Sequence, residues 1–296
     1  MAEDSPVTVG IGVLSDVMHT EGPCIILAVD DKASYGVPPI TTNNACGKFH
    51  DLLPILPVGL SISGDIGTCD AVVAEFYERM KDFQEAQNQK NEPLAPDHLR
   101  IAIREARHYE YRHFLGEEMR GYLGMTLDEW QKETNPEKKR KGMVIARAAR
   151  LYFPVWIIAG GFWGDRYFGL MKSSGACVTE MGGGHYACGL GDIPALKILH
   201  RRNQEAGMSA PRSLLHVAEA MEAARKSAPK YIGKPADYIV LRRNKPMMRF
   251  NANSPVLAEW LADFKNTKDS TPMQDDQRFR NQFVNALYKH IPLNPV

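Results

Sequence analysis

Blocks of strand character and blocks of helix character succeed one another along the 296 residues of this chain, and their order limits the folds open to it. Residues 7 to 14, Val-Thr-Val-Gly-Ile-Gly-Val-Leu, read as a strand, and residues 24 to 29, Cys-Ile-Ile-Leu-Ala-Val, as a second. A turn-rich break around Asp16–Pro23 joins them as an antiparallel hairpin. Leu52 to Ser63 is a third apolar run, punctuated by Pro54 and Pro57 and ending in Ser63-Gly64-Asp65. Val72, Phe76, Met80 and Phe83 then recur at helical spacing, with Asp70 placed to cap the helix start. A second helix runs from Pro96 through residues 104–112, with Leu99, Ile103 and Ala106 on its apolar stripe. Strand character returns from Val155 to Leu170 with a turn near Gly164-Asp165, and short strands and glycine turns fill Met171–Gly191. Pro194 stands where a first-turn proline starts a helix. Leu214, Val217, Ala218 and Met221 give the cleanest helical period of the chain, and Ala236–Arg242 closes with a strand. Strands, two helices, strands, two helices and a strand predict an α+β protein whose two sheets pack on each other between helix layers.

Composition narrows the function classes. Lys and Arg number 36 against 35 Asp and Glu, so the basic surface a nucleic-acid binder needs is not expected. Hydrophobic residues make up 44%, enough for a full core and against a chain dominated by disorder. The start, Met-Ala-Glu-Asp-Ser-Pro-Val, lacks the basic and apolar regions of a signal peptide, and the most apolar later stretch, Leu151–Gly164, is too short to span a bilayer. A soluble cytoplasmic protein with no membrane association is the expectation. The cysteines, Cys24, Cys46, Cys69, Cys177 and Cys188, show no CxxC spacing, which argues against a zinc knuckle or redox dithiol and for reduced, mostly buried thiols. A hairpin would set Cys177 opposite Cys188. His108 and His113, five apart on the second helix, are poorly spaced for a shared metal, and Gly182–Gly184 and Gly189-Leu190-Gly191 lack the lysine of a phosphate loop. Neither a cofactor nor a metal is expected.

Two segments read as additions. Residues 115–150 hold Gly124-Met125-Thr126-Leu127-Asp128-Glu129-Trp130 and then a charge run, Asn135-Pro136-Glu137-Lys138-Lys139-Arg140-Lys141, that reads as a solvated loop. Residues 244–296 include a helical pattern at 278–290 and are placed to cover a sheet edge or reach a neighbouring subunit.

Seven stretches fall in a fixed order: Thr8-Val9-Gly10-Ile11-Gly12-Val13, Leu27-Ala28-Val29-Asp30-Asp31-Lys32-Ala33, Gly47-Lys48-Phe49, Leu60-Ser61-Ile62-Ser63-Gly64-Asp65, Ile157-Ile158-Ala159-Gly160-Gly161, Cys188-Gly189-Leu190-Gly191 and Asp237-Tyr238-Ile239-Val240-Leu241. Together they resemble the proteasome family, the ring-forming N-terminal-nucleophile (Ntn) hydrolases. The 124–130 stretch is similar to that of uncharacterised bacterial proteasome-like proteins. The resemblance covers about residues 8–114 and 150–243. It implies a four-layer α-β-β-α sandwich over residues 8–243, with a helical insertion at 115–150, an N-terminal extension at 1–7 and a C-terminal extension at 244–296. It also implies a ring-shaped homo-oligomer.

The chemistry that the resemblance implies is that of a threonine-type endopeptidase acting on peptide or unfolded-protein substrates. An N-terminal threonine supplies both nucleophile and base, its hydroxyl activated by its own α-amine. Thr8 takes that position. Lys48, by its positive charge, favours the ionised hydroxyl and the neutral amine; Asp30 holds Lys48 charged and in place. The backbone amide of Gly47 polarises the substrate carbonyl. Lys32 fills a neighbouring position often basic in the family. A register two residues earlier would set Pro6 at the nucleophile position and leave Thr8 an ordinary strand residue.

Several residues depart from the family pattern. While Val7–Thr8 is intact the α-amine is an amide and no base, and Val7 stands where family precursors usually carry glycine. Leu190 replaces the serine between the two glycines, and Lys226-Ser227-Ala228-Pro229-Lys230-Tyr231-Ile232 offers no aspartate–serine pair, with Ser227 the loose substitute. These departures frame the alternative: a catalytically inactive ring subunit or scaffold, as proteasome α-type chains are.

Overall fold

Every residue of two strands, β1 (Val9–Ser15) and β2 (Cys24–Asp30), is buried, so the expected hairpin lies inside the molecule, covered on both faces. The computed structural model describes residues 9–17, 22–30, 33–35, 40–42, 49–52, 56–153, 155–163, 166–174, 177–180, 184–189, 191–229, 232–233, 236–243, 245, 247–251 and 255. After β1 and β2 come β3 (Ala33–Tyr35), β4 (Ile40–Thr42), β5 (Phe49–Leu52) and β6 (Leu56–Gly64). Four helices follow: α1 (Ile66–Lys90), α2 (Pro96–Leu123), α3 (Leu127–Lys132) and α4 (Pro136–Tyr152). The chain continues with β7 (Val155–Trp163), β8 (Arg166–Ser174), β9 (Cys177–Glu180), β10 (His185–Gly189), α5 (Asp192–Arg201), α6 (Ala210–Ser227), β11 (Ala236–Arg242) and β12 (Met248–Asn251).

The strands form two five-stranded sheets and a two-stranded β3–β4 ribbon. The first sheet runs β10-β1-β2-β11-β12 and the second β5-β6-β7-β8-β9, with all described pairs antiparallel. One apolar cluster joins Ile11, Val13, Ile26 and Val240 of the first sheet to Leu199 of α5 and Leu214 and Val217 of α6. A second joins Leu60, Ile62 and Ile157 of the other sheet to Val72, Phe76 and Met80 of α1 and Leu99 and Ile103 of α2. A third lies where the sheets face each other, with Leu27, Val29 and Ile239 against Ile158, Phe162 and Leu170. The protein is therefore a mixed helix-and-sheet, α+β molecule.

The helix expectations hold with local corrections. Phe76, Met80, Leu99, Ile103, Leu214 and Val217 are buried as their spacing requires. The cap of α1, however, is Asp65, whose Oδ1 accepts from Thr68 N at 2.9 Å, while Asp70 lies exposed one turn inside. The run 52–63 divides between β5 and β6. The charge run is no loop: Asn135 Oδ1 caps α4 by accepting from Glu137 N at 2.9 Å and Lys138 N at 3.2 Å, so its lysines sit on the first turns of a 17-residue helix. α4 packs on α2 through a small separate core of Leu115, Met119 and Ala149 with Phe114, Trp130 and Ile145 around it. Gly142 makes that packing possible, since a Cβ there would clash with the indole ring of Trp130. Cys177 and Cys188 do not oppose each other either: β9 pairs with β8 in the second sheet and β10 with β1 in the first. Of the tail, β12 covers the free edge of β11, tied by Arg249 to Asp237 at 2.8 Å; the helical pattern at 278–290 lies outside the described residues.

No helix among the described residues is long and apolar enough to cross a membrane.

Candidate functional site

The buried carboxylate of Asp30 ends β2 beside the beginning of β1. Gly10 pairs with Val29, which brings Val9 level with Asp30, and Ala236 of β11 pairs with Asp30 from the other side. Asp30 is 0% exposed. Its Oδ1 accepts from Val9 N at 3.0 Å and its Oδ2 from Gly233 N at 3.3 Å. Val9 N is the amide nitrogen bonded to the Thr8 carbonyl carbon, so the carboxylate grips the peptide unit that leaves Thr8. Burying a carboxylate costs several kcal/mol unless hydrogen bonds replace its water, and these amides do so.

Thr8, Gly47, Lys48, Lys32 and Leu190 lie outside the described residues. Their described neighbours nevertheless converge. Phe49, which follows Lys48, pairs with Ser61 on β6. Ser61 in turn lies against Gly10, two residues after Thr8: a Cβ on Gly10 would stand 2.7 Å from Ser61 Oγ and 3.0 Å from Cys188 Sγ. Only a residue without a side chain lets β1 pass this close to β6. Val9 pairs with Gly189, the residue before Leu190.

The space between the sheets at this end is polar in a way the sequence motifs did not announce. Ser61 and Ser63 are 0% and 1% exposed, and neither hydroxyl has a hydrogen-bond partner among the described residues. Lys172, on β8, crosses from the second sheet to the first, its Nζ donating to Ala187 O at 2.8 Å. The signal for the serines was available: two hydroxyls at i and i+2 in an apolar strand share one face. For Gly233 and Lys172 no local pattern pointed to the site.

Thiol chemistry is disfavoured. Burial pushes the Cys188 thiol up to about 12 and that of Cys24 up to about 11, so both stay protonated near neutral pH. Cys24 neighbours the candidate residues in sequence only, standing at the opposite end of β2 from Asp30, about 20 Å away at ~3.3 Å per residue. Ser227 Oγ is engaged within its own helix, donating to Ala224 O at 2.7 Å. His108 and His113 are exposed on α2, and no group of three His, Cys, Asp or Glu side chains able to hold a metal occurs among the described residues.

Among solved structures, the chain is similar to that of an Anbu (Gly-1) mutant from Hyphomicrobium sp. strain MC1, with a TM-score of 0.56 and 13% sequence identity, over 98% of this chain and 100% of that one. At that identity the likeness is one of fold. Comparison with protein-family models gives no match, and neither does comparison with curated protein sequences.

Proposed function

We propose that the chain is a proteasome-like Ntn-hydrolase-fold protein that acts as a threonine-type peptidase on peptide or amide bonds once the chain is cut before Thr8. The observation that carries this reading is the hydrogen bond from Val9 N to Asp30 Oδ1, which puts a buried carboxylate one peptide unit from Thr8 and three residues from Pro6. The four-layer α-β-β-α sandwich of residues 8–243 is supported by the three apolar clusters, one in each of the successive interfaces. The insertion at 115–150 and the extensions at 1–7 and 244–296 belong to the same proposal, as do a ring-shaped homo-oligomer and a cytoplasmic location.

In this mechanism the freed Thr8 amine takes the hydroxyl proton as Oγ attacks the substrate carbonyl carbon. The Gly47 amide stabilises the oxyanion, and the protonated amine passes its proton to the leaving nitrogen as the C–N bond breaks. Water, deprotonated by the same amine, then opens the ester. Lys48 favours the ionised hydroxyl and neutral amine, and Asp30 holds Lys48.

A second reading, an inactive structural ring subunit, is favoured by Val7 and Leu190 in the sequence and by the engagement of Ser227 in its own helix. Intact mass and peptide turnover separate the two. A purified chain beginning at Thr8, whose turnover is lost in Thr8→Ala, supports the peptidase; retention of residues 1–7 with no turnover of peptide or amide substrates refutes it. A sedimentation experiment showing only monomer at micromolar concentration refutes the ring.

A further inference from the structure

Two histidines that the sequence leaves far apart face each other in the fold, His185 from β10 and His200 from the last turn of α5, with ring centroids 5.1 Å apart and ring planes at 69°. Other described histidines have partners or stand alone. His98 receives Ala95 N on Nδ1 at 2.7 Å and meets Gln87 Nε2 at 3.1 Å, His216 Nδ1 lies 2.9 Å from Gln204 Oε1, and His108 and His113 are exposed on α2. In the facing pair, Nδ1 of His185 is buried and has no hydrogen-bond partner among the described residues. His200 is exposed, so the pair opens to solvent.

The spacing is that of two imidazoles on one ion. Each would hold a tetrahedral zinc-type ion about 2.0–2.1 Å from one ring nitrogen, with the ring centroid roughly 1.1 Å behind it, which sets the two centroids about 5.2 Å apart. The observed 5.1 Å meets that requirement with both backbones where they are. An edge-to-face contact of two rings accounts for the spacing but leaves Nδ1 of His185 buried and unpaired, a state that folded proteins rarely keep without a reason.

The surroundings fix the rings for this use. His185 hydrogen-bonds to the backbone carbonyl of Gln204, and since Nδ1 is unpaired that bond is made by Nε2, which leaves the lone pair on Nδ1. A histidine that ligates a metal is oriented in the same way, by donating its second N–H to a carbonyl. Gln204 is itself held in place: its N donates to Leu199 O at 2.9 Å, and its side chain donates to Ser213 Oγ at 2.8 Å and accepts from His216 Nδ1. The carbonyl end of α5, where His200 sits, favours a cation, and the charge of nearby Arg202 is countered by two hydrogen bonds of 2.7 Å to Glu219.

We propose that His185 and His200 together bind a divalent transition-metal ion, zinc in the first place, with water in its remaining positions. Imidazole nitrogens suit zinc, copper and nickel, whereas magnesium and calcium take oxygen ligands. Two protein ligands are fewer than the three or four of catalytic and structural zinc sites, so the ion exchanges with solution. Once bound, it ties β10 to α5. β10 flanks β1, with His185 level with Val13 and Gly189 level with Val9, so the ion also steadies the strand that follows Thr8. The site depends neither on Thr8 being catalytic nor on self-association.

Calorimetric titration of the full-length chain with zinc chloride near neutral pH, after a chelator has stripped it of metal, tests the proposal. The wild type binds zinc, and His200→Ala, at an exposed position that keeps the fold by circular dichroism, weakens that binding on the order of tenfold or more. His185→Ala weakens it likewise, whereas His108→Ala leaves it unchanged. The His185 ring is partly buried, so a second measurement covers the case in which its variant does not fold: zinc should shift the ring signals of both His185 and His200 in the NMR spectrum of the wild type. A wild type that takes up no zinc at about 0.1 mM free ion overturns the proposal and shows a ring contact only. Zinc binding that is unchanged in His200→Ala overturns it too, by placing the ion elsewhere, as does a zinc-induced shift confined to one of the two rings.

Discussion

Replacing Asp30 with asparagine tests whether the start of β1 is held by charge. The side chain keeps its shape, but one of its two carboxylate oxygens becomes an NH₂ group. Asp30 receives Val9 N at 3.0 Å and Gly233 N at 3.3 Å, so whichever amide meets the new NH₂ finds a donor where it had an acceptor. One charged hydrogen bond, with a net contribution of about 1.5–3 kcal/mol, is lost, and a buried N–H is left unpaired. The expected destabilisation is about 2–4 kcal/mol, a sizeable share of a stability that for folded domains is about 5–15 kcal/mol. For a chain of 296 residues that corresponds to a fall in Tm of roughly 3–6 °C. Denaturant unfolding at fixed protein concentration should show a lower midpoint with an unchanged slope, since the amount of surface exposed does not change. Amide hydrogen exchange at Val9 should accelerate by the same free energy if opening is local. A loss below 1 kcal/mol with Val9 still protected would refute the reasoning, because the amides would then be satisfied without the carboxylate.

Gly10→Ala puts a methyl group 2.7 Å from Ser61 Oγ and should cost about 1–3 kcal/mol by thermal melting; adding Ser61→Gly should recover part of that loss, a coupling read from a double-mutant cycle. Ser61→Ala alone removes a buried hydroxyl without a partner among the described residues and should leave stability within about 1 kcal/mol of wild type. Burial, and then the positive charge of Arg202, hold His216 down to about 4, below its unfolded value near 6.5, so between those limits the unfolded chain binds the extra proton. Stability should therefore fall as pH drops from about 6.5 to about 4, by at most about 3 kcal/mol from this group, and His216→Gln should flatten that slope in urea midpoints. Iodoacetamide at pH 8 should leave Cys24 and Cys188 unmodified in the folded protein and alkylate both in denaturant, as peptide mass spectrometry will show.

The parts of the fold legible in the sequence are those where one face of an element alone meets the core. The stripe Val72–Phe76–Met80 of α1 and the stripe Leu214–Val217–Met221 of α6 each pack on one sheet, and a 3.6-residue period reports that directly. Misreadings arise where a second requirement hides the first. The charges of Lys138–Lys141 mask a helix whose apolar residues, Ile145, Ala146 and Ala149, come only after them, so the composition reads as loop while Asn135 and Pro136 start α4. The Cys177–Cys188 pairing assumes that neighbours in sequence share a hairpin, yet the chain changes sheets between β9 and β10. Asp70 and Asp65 are equally good caps by residue type; the end of β6 at Gly64 decides for Asp65.

The candidate site was legible to the extent that it lies in motifs, and least legible where it lies between the sheets. On β6, Val58, Leu60 and Ile62 pack toward the helices, while Ser61 and Ser63 lie on the opposite face, which an alternating pattern assigns to solvent. The strand's second face is covered by the first sheet instead, and nothing local in residues 58–63 encodes that. Its polar character then demands a reason, since apolar side chains would fill the same space at lower desolvation cost. Small side chains there admit β1 within contact at Gly10, and Gly10 is two residues from Thr8. A bulkier, apolar inner face on β6 would push the start of β1 away from Asp30. The serines thus belong to the same arrangement as the Val9–Asp30 bond: one sets how deeply β1 seats, the other holds it there. Ser61→Val, which replaces the hydroxyl with a methyl group and adds a second methyl at the point of contact, should therefore weaken protection of the Val9 amide with Asp30 itself unchanged, and an unaltered Val9 exchange rate would sever the two.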